Sequence, residues 1–373
     1  MKHVPFLTLG LAMIVGLTSL SPVLAQFGGV NEKQMLEWAD RGDADAQFEL
    51  GLRMITGEGI KKDEAEGVKW VRRAAEQDHL RAMHVMGSLF EEGVGVSQDL
   101  AKSVEWYQKS ADLGFALAQF SVGMAYDLGR GVSVDKVKAA DWFRKAAAQG
   151  HPPAMAAYAS KMELGEGVEK STPKAALYYL KASQKGYLPA MTRMANMYYM
   201  GIGVPVDYER AGAWYQRAAR SDDPWSSNNF AWFLATCPDE GLHHAETAIT
   251  FAKRALKMMG EAGEEQRYEM LDTMAAALAR NGEYLEAVLW QKRAIELLPE
   301  DKALEADERA ELEKEFQDRL GKYKTQQSYV EPERQGEKGV KALPQDVILE
   351  EEKLPGSDRR KKKSAEKDKG SVV

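Results

Sequence analysis

The sequence predicts an all-α fold in which antiparallel helix pairs stack one on the next. Three observations carry this. A Gly-x-Gly pair at Gly57 and Gly59 returns at Gly93 and Gly95, Gly129 and Gly131, Gly165 and Gly167, and Gly201 and Gly203, a step of 36 residues each time. Other columns keep the same step: Ala46, Ala82, Ala118, Ala154 and Ala190; Gly51, Gly87, Gly123, Ala159 and Ala195; Trp70, Trp106, Trp142, Tyr178 and Trp214. The composition is rich in Ala, Leu, Met, Glu and Lys and poor in β-branched runs, which favours helix over strand. A period of this length marks a repeat array, whose units bury their apolar faces only against their neighbours.

Met1 to Ala25 reads as a secretory signal. Lys2 precedes an apolar run from Val4 to Leu20, and Val23-Leu24-Ala25 stands before Gln26, so cleavage is expected after Ala25. No later stretch is apolar enough to span a bilayer, so the mature chain is expected to be periplasmic or secreted, with no transmembrane segment. Cys237 is the sole cysteine, so export brings no internal disulfide and stability must come from packing. The formal charge of −7 points to neither nucleic acid nor a membrane surface.

Residues 26–45 are expected to hold an N-terminal capping helix, and residues 46–225 five repeats of two helices each. The first helix of the first repeat runs from about Ala46 to Thr56, with Gly51 admitting a close neighbour and Gly57 ending the helix in the left-handed conformation. Asp63 caps the second helix, with Glu66 closing a capping box; Asp99, Asp135 and Asp207 share the column, and Ser171 supplies a hydroxyl cap in the fourth repeat. The second helix presents Trp70, Val71, Ala74 and Ala75 on one face and ends at Asp78, as later ones end at Gly114, Gly150, Gly186 and Asp222. The glycine pairs are therefore helix punctuation. No strand precedes them and no Lys-Ser/Thr follows at phosphate-loop spacing, so they are not nucleotide sites.

Beyond residue 225 the 36-residue phase stops. Residues 226–300 are expected to form two further helix pairs. In the second, Ala275 sits at the close-packing position, Gly282 makes the turn, Ala287 and Ala294 face inward, and Pro299 closes the pair. Residues 301–323 read as a capping helix with a thin stripe of Leu304, Leu312, Phe316 and Leu320. Residues 324–373 carry charge blocks, including Arg359 to Lys363, and prolines at 332, 344 and 355; this composition reads as a disordered tail.

The stretch "ALAQFSVGMAYDLGRGVSVDKVKAADWFRKAAAQG", Ala116 to Gly150, follows the pattern AxxxLGxxYxxGxGVxxDxxxAxxWYxKAAxxG. It resembles the Sel-one-like repeats, relatives of the tetratricopeptide repeats, and residues 271–299 resemble a tetratricopeptide unit. The resemblance implies a right-handed α-solenoid superhelix used as an interaction scaffold.

If the first helices line a concave face, as in tetratricopeptide stacks, one exposed column is Phe48, His84, Phe120, Ala156 and Thr192. Another is Ile55, Glu91, Asp127, Glu163 and Tyr199, with Glu92 beside it. The acidic stripe is expected to receive a basic or mixed peptide segment of a partner protein. Gly51, Gly87 and Gly123 with Trp70, Trp106, Trp142, Tyr178 and Trp214 are expected to form the repeat core, and Trp106→Ala is expected to cost about 3–5 kcal/mol. Neither a metal site nor a cofactor site is read from the histidines, since His243 and His244 are adjacent and His79 and His84 fall on different elements. Some cysteine-rich relatives of this repeat family are linked to β-lactamase-like activity, but here Ser171 of "STPK" is a helix cap, Ser364 of "SAEK" lies in the tail, and the companion strings are absent. The chain is expected to be non-catalytic. The other reading is a cell-envelope enzyme or regulator acting on peptidoglycan or polysaccharide, with a cell-wall polymer as the partner.

Overall fold

The computed structural model describes residues 32–260 and 267–343. It divides into two compact units, Met1–Lys170 and Ser171–Val373. The leader expected at 1–25 and the basic run Arg359–Lys363 lie outside the described residues. Among the described residues all regular structure is helical. The first unit holds α1 (Glu32–Asp40), α2 (Ala44–Thr56), α3 (Glu64–Ala75), α4 (Leu80–Glu92), α5 (Leu100–Asp112), α6 (Ala116–Leu128), α7 (Lys136–Ala148) and α8 (Pro152–Leu164). The second holds α9 (Thr172–Gln184), α10 (Leu188–Met200), α11 (Tyr208–Ala218), α12 (Pro224–Thr236), α13 (Ala245–Met259), α14 (Arg267–Arg280), α15 (Tyr284–Leu297) and α16 (Ala306–Lys324). Within each unit every helix packs on the next in sequence, which makes each a stack of antiparallel helix pairs and bears out the α-solenoid.

Glycine geometry sets how the pairs close. Gly129 ends α6 at φ +71°, with its N–H bonded to the Ala125 carbonyl. Gly131, at φ +74°, lies so close to the start of α5 that a Cβ would stand 2.2 Å from the Leu100 carbonyl oxygen. The first glycine of the pair thus terminates a helix, and the second lets the loop press on the preceding repeat.

The N-caps Asp63, Asp99, Asp135 and Asp207 accept from the N–H three residues on, as expected. Two details of this expectation are corrected. The Asp63 N–H bonds to the Met54 carbonyl at 2.8 Å, and Glu66 pairs with Lys69, so there is no capping box; the same cross-hairpin bond joins Asp99 to Phe90, Asp135 to Tyr126 and Asp207 to Tyr198. The Ser171 hydroxyl makes no capping bond, and Pro173 in the first turn removes one N–H that would need it. Four first helices are capped by Asp43, His79, His151 and Asp223, each of which accepts from a first-turn N–H, while α6 and α10 have no side-chain cap.

The aromatic column also needs correction. Trp70 and Trp214 are buried, but Trp106, Trp142 and Tyr178 are half-buried, with Lys109, Lys145 and Lys181 lying over their rings. The buried column is one residue later: Val71, Tyr107, Phe143, Tyr179 and Tyr215. Added methyls on Gly87 and Gly123 would meet the Tyr107 and Phe143 rings at 2.5 and 2.6 Å, and one on Gly51 would meet Val71 at 2.7 Å. The small-residue column faces these side chains. Trp106, Trp142 and Tyr178 sit at the edge of the seam, where the ring stays apolar and its cation stays wet.

In the second unit α12 to α16 share a core that includes Met274, Ala275, Ala287, Ala294 and Phe316. The outer helix α16 also buries Arg319, which pairs with buried Asp272 at 2.9 Å.

Candidate functional site

The columns expected to line an exposed face are placed differently by the structure. Phe48, His84 and Phe120 are buried at the seams between repeats. Phe48 packs on His79 at 4.7 Å between centroids, His84 on Tyr107 at 5.0 Å, and Phe120 on Phe143 and His151 at 5.7 and 5.3 Å. The His84 Nε2 meets the Ser121 hydroxyl at 3.1 Å, and burial first, then repulsion from His151, lowers its pKa to about 3. Stacked hairpins leave a first-helix aromatic no path to solvent, because the next hairpin covers it.

Two carboxylates of the acidic stripe already have cations of their own. Glu91 accepts from the Tyr107 hydroxyl at 2.7 Å and pairs with Arg130 at 2.9 Å. Asp127 pairs with Lys136 at 2.7 Å and with Lys161 at 2.6 Å. Burial pushes the Asp127 carboxyl up, but those lysine bonds outweigh it and hold it below its ordinary value. Glu92 is half-buried and is pushed up by burial, then by Glu91. Glu163 is half-buried on the same column. Glu91 and Asp127 are thus committed to Arg130, Lys136 and Lys161 and offer no bare carboxylate to a basic peptide, which corrects the expectation at those two positions.

Tyr199, the last of the column, is half-buried beneath the chain's own C-terminal segment, with Arg334 5.8 Å over its ring. The segment is where a site is formed. Residues 325–343, expected to be disordered, run back along the ends of the first helices in reverse order: α14, α12, then α10. At the end of α14 the Ser328 hydroxyl donates to the Ala279 carbonyl at 2.8 Å and Arg280 donates to the Tyr329 carbonyl at 2.9 Å. The Tyr329 ring lies 6.0 Å from Trp232, with Arg319 stacked 5.3 Å from both. At the end of α12 the Glu331 N–H donates to the Thr236 carbonyl at 2.8 Å, and farther on the Arg334 N–H donates to the Tyr208 hydroxyl at 2.9 Å.

The last anchor is the fifth repeat's glycine loop. The Glu337 N–H donates to the Gly201 carbonyl at 2.9 Å. Its carboxylate accepts from the Gly203 N–H at 3.0 Å and the Thr172 hydroxyl at 2.8 Å. Gly336 comes so close that a Cβ on Gly201 would stand 2.5 Å from its Cα, and a Cβ on Gly336 would stand 3.2 Å from Val206. Six residues separate the Glu331 and Glu337 anchors. Extended, they span roughly 20 Å, which matches two helix layers at about 8–10 Å each.

Sequence reasoning missed this segment because it is polar, proline-broken and aperiodic, and its partners are main-chain groups that no residue identity announces. Tyr329 in an otherwise polar run was the one cue. The buried Cys237 thiol lies beside Thr236, and burial pushes its pKa up to about 11, in keeping with a small apolar role. No group of His, Cys, Asp and Glu among the described residues is arranged to hold a metal ion, and no described helix is long and apolar enough to cross a membrane.

Comparison with known proteins follows the same lines. The Sel1 repeat family model matches five consecutive segments, residues 44–79, 80–115, 116–151, 152–187 and 188–223. The chain is 40% identical over 62 residues to a secretory immunoglobulin A-binding protein, EsiB, of Escherichia coli O6:H1 strain CFT073, a match spanning 17% of this chain and 12% of that protein. In fold it is similar to a protective antigen of uropathogenic Escherichia coli strains displaying an SLR fold, with 24% identity, a TM-score of 0.60, and coverage of 78% of this chain and 72% of that one. It is also similar in fold to a Sel1 repeat protein from Oxalobacter formigenes, with 24% identity, a TM-score of 0.53, and coverage of 66% and 96%.

Proposed function

The chain is a Sel1 repeat protein over residues 44–223, and on that premise we propose that it is an exported, non-catalytic scaffold that binds an extended segment of another polypeptide along the rims of its helix hairpins. The observation that carries the reading is the grip on residues 328–337. The stack holds this polypeptide by main-chain bonds at Thr236 and Gly201 and by side-chain anchors between them. Main-chain pairing accepts many sequences, and the side-chain seats select among them. The relative named for binding secretory immunoglobulin A supports a protein as the class of partner. The leader pattern at Lys2, Val4–Leu20 and Val23–Ala25 supports export.

The site moves from the concave column to the rim for two reasons. Phe48, His84 and Phe120 are buried, and Glu91 and Asp127 have their cations. The test is photo-crosslinking of the full chain in cells, with benzoylphenylalanine at Leu128 on a rim and at Glu105 on a second helix. The reading expects cross-links to polypeptide from the rim position alone, and a mature N-terminus at Gln26. Retention by purified wall polymer with no rim cross-link, or turnover of a β-lactam, would overturn it.

A further inference from the structure

The seat that holds Gly336 and Glu337 recurs in the first unit with its surface exposed. In the fifth repeat the seat is "GIGVPV", Gly201 to Val206, and Gly201 and Gly203 are buried under the segment. The third repeat carries "GRGVSV", Gly129 to Val134, with the same glycines and the same valine. The two loops also share backbone form: Gly129 and Gly131 have φ +71° and +74°, against +72° and +67° for Gly201 and Gly203. The second glycine of each pair presses on the preceding second helix in the same way, Gly131 on the Leu100 carbonyl and Gly203 on the Thr172 carbonyl.

The differences lie in what surrounds each loop. Val134 is 57% exposed, Leu128 53%, Val137 65% and, one repeat on from Leu128, Leu164 is 60% exposed. Four large aliphatic residues on consecutive hairpin rims of one unit leave an apolar ledge in water, which marks an interaction surface. Among the described residues nothing bonds the Gly131 N–H, whose counterpart at Gly203 holds the Glu337 carboxylate. The hydroxyl that helps hold that carboxylate, Thr172, is replaced in register by Leu100.

We propose that the Gly129–Val134 rim of the third repeat is a second peptide seat, and that it takes an extended segment in trans whose glycine is followed by an aliphatic residue where the fifth repeat takes a glutamate. The partner's glycine sits against Gly129 and Val134, because any larger residue would meet that backbone as it would at Gly201. Its next N–H pairs with the Gly129 carbonyl. Its next side chain lies on Leu100, Leu128 and Val134, where a carboxylate would lose water and gain the Gly131 N–H alone, without the hydroxyl that completes the seat at Gly203.

The inference rests on the scaffold reading and narrows it to a site and a sequence preference. The probes are two fluorescein-labelled peptides: VEPERQGEKGV, the chain's own residues 330–340, and the same peptide with Leu in place of Glu337. Each is titrated against the full chain by fluorescence anisotropy. The leucine peptide is expected to bind at one site at least about 10-fold more tightly than the glutamate peptide. Val134→Glu and Leu128→Glu, both at exposed positions, should each weaken it by about 10-fold or more, with thermal melting unchanged. Equal binding of the two peptides, no binding, or indifference to Val134→Glu would overturn the seat. Loss of binding in Thr172→Ala but not in Val134→Glu would place the peptide on the fifth repeat and overturn it too. Each of these results leaves the rim cross-links, and with them the scaffold reading, to stand or fall separately.

Discussion

Glu337→Ala tests whether the C-terminal segment is held as the geometry indicates. The substitution removes one carboxylate that accepts two bonds, from the Gly203 N–H at 3.0 Å and the Thr172 hydroxyl at 2.8 Å. A bond to a charged group contributes ~1.5–3 kcal/mol when buried. Glu337 is exposed, so solvent screening reduces the pair to about 1–2 kcal/mol in total. The main-chain bonds at Thr236 and Gly201 remain, so the segment opens more often without leaving. A loss of 1–2 kcal/mol raises the open population about 5–30-fold. Amide hydrogen exchange on the intact chain reads this in the fragment covering residues 328–343 and in the hairpin 199–208. Exchange in both should rise by that factor, while the global melt stays put, because Glu337 itself touches no core residue and the Tyr329 packing and main-chain bonds remain. Glu337→Gln keeps an acceptor oxygen and loses the charge, so its effect should be intermediate. Exchange unchanged in the alanine variant would refute the anchoring, and with it the observation on which the scaffold reading stands.

Tyr107→Ala should cost about 3–5 kcal/mol, because the ring is buried and its hydroxyl bonds Glu91, whereas Trp106→Ala at the half-buried seam edge should cost about 1–2 kcal/mol; urea titrations that rank the two the other way would contradict the revised core. Gly131→Ala combines φ +74° with a methyl 2.2 Å from the Leu100 carbonyl and should destabilise by about 2–4 kcal/mol. Gly321→Ala, in α16 with open space around it, should stabilise by up to about 1 kcal/mol, as calorimetry would register. Stability should also fall with acid in a defined window. Burial lowers the folded pKa of His84 to about 3 and of His151 to about 4, from 6.5. The unfolded chain therefore binds protons the folded one refuses, so this stability is complete above pH ~6.5 and is lost as pH falls toward those values, by about 2 kcal/mol per histidine at pH 5. His84→Gln should flatten that slope, and a denaturation profile equally steep in the variant would exclude His84 as its source.

The repeat itself was legible because it lives in local chemistry. A glycine at a helix end, an aspartate three residues before a first-turn N–H and a small residue facing a ring each leave a residue type at a fixed step. The aromatic column was read one residue off. Trp106 and Tyr107 are neighbours on a helix whose rotation is set by the adjacent hairpin, and only packing decides which of two adjacent aromatics turns inward. The exposed face failed for a related reason: Phe48, His84 and Phe120 look outward from an isolated hairpin and are covered once the next one stacks. The pairing of Asp127 with Lys161, 34 residues apart, was hidden because the column of Lys161 holds no constant chemistry: Arg53, Leu89, Ala125, Lys161 and Met197 follow one another at the 36-residue step.

By itself, then, the sequence determined the helical class and the number and phase of the repeats, since these depend on contacts within a few residues. Only the tertiary structure decided which faces meet water, which carboxylates keep their charge to themselves, and that residues 328–337 bind back on the stack. Those outcomes depend on main-chain carbonyls and N–H groups brought together from distant parts of the chain, and such groups are the same in every residue until folding positions them.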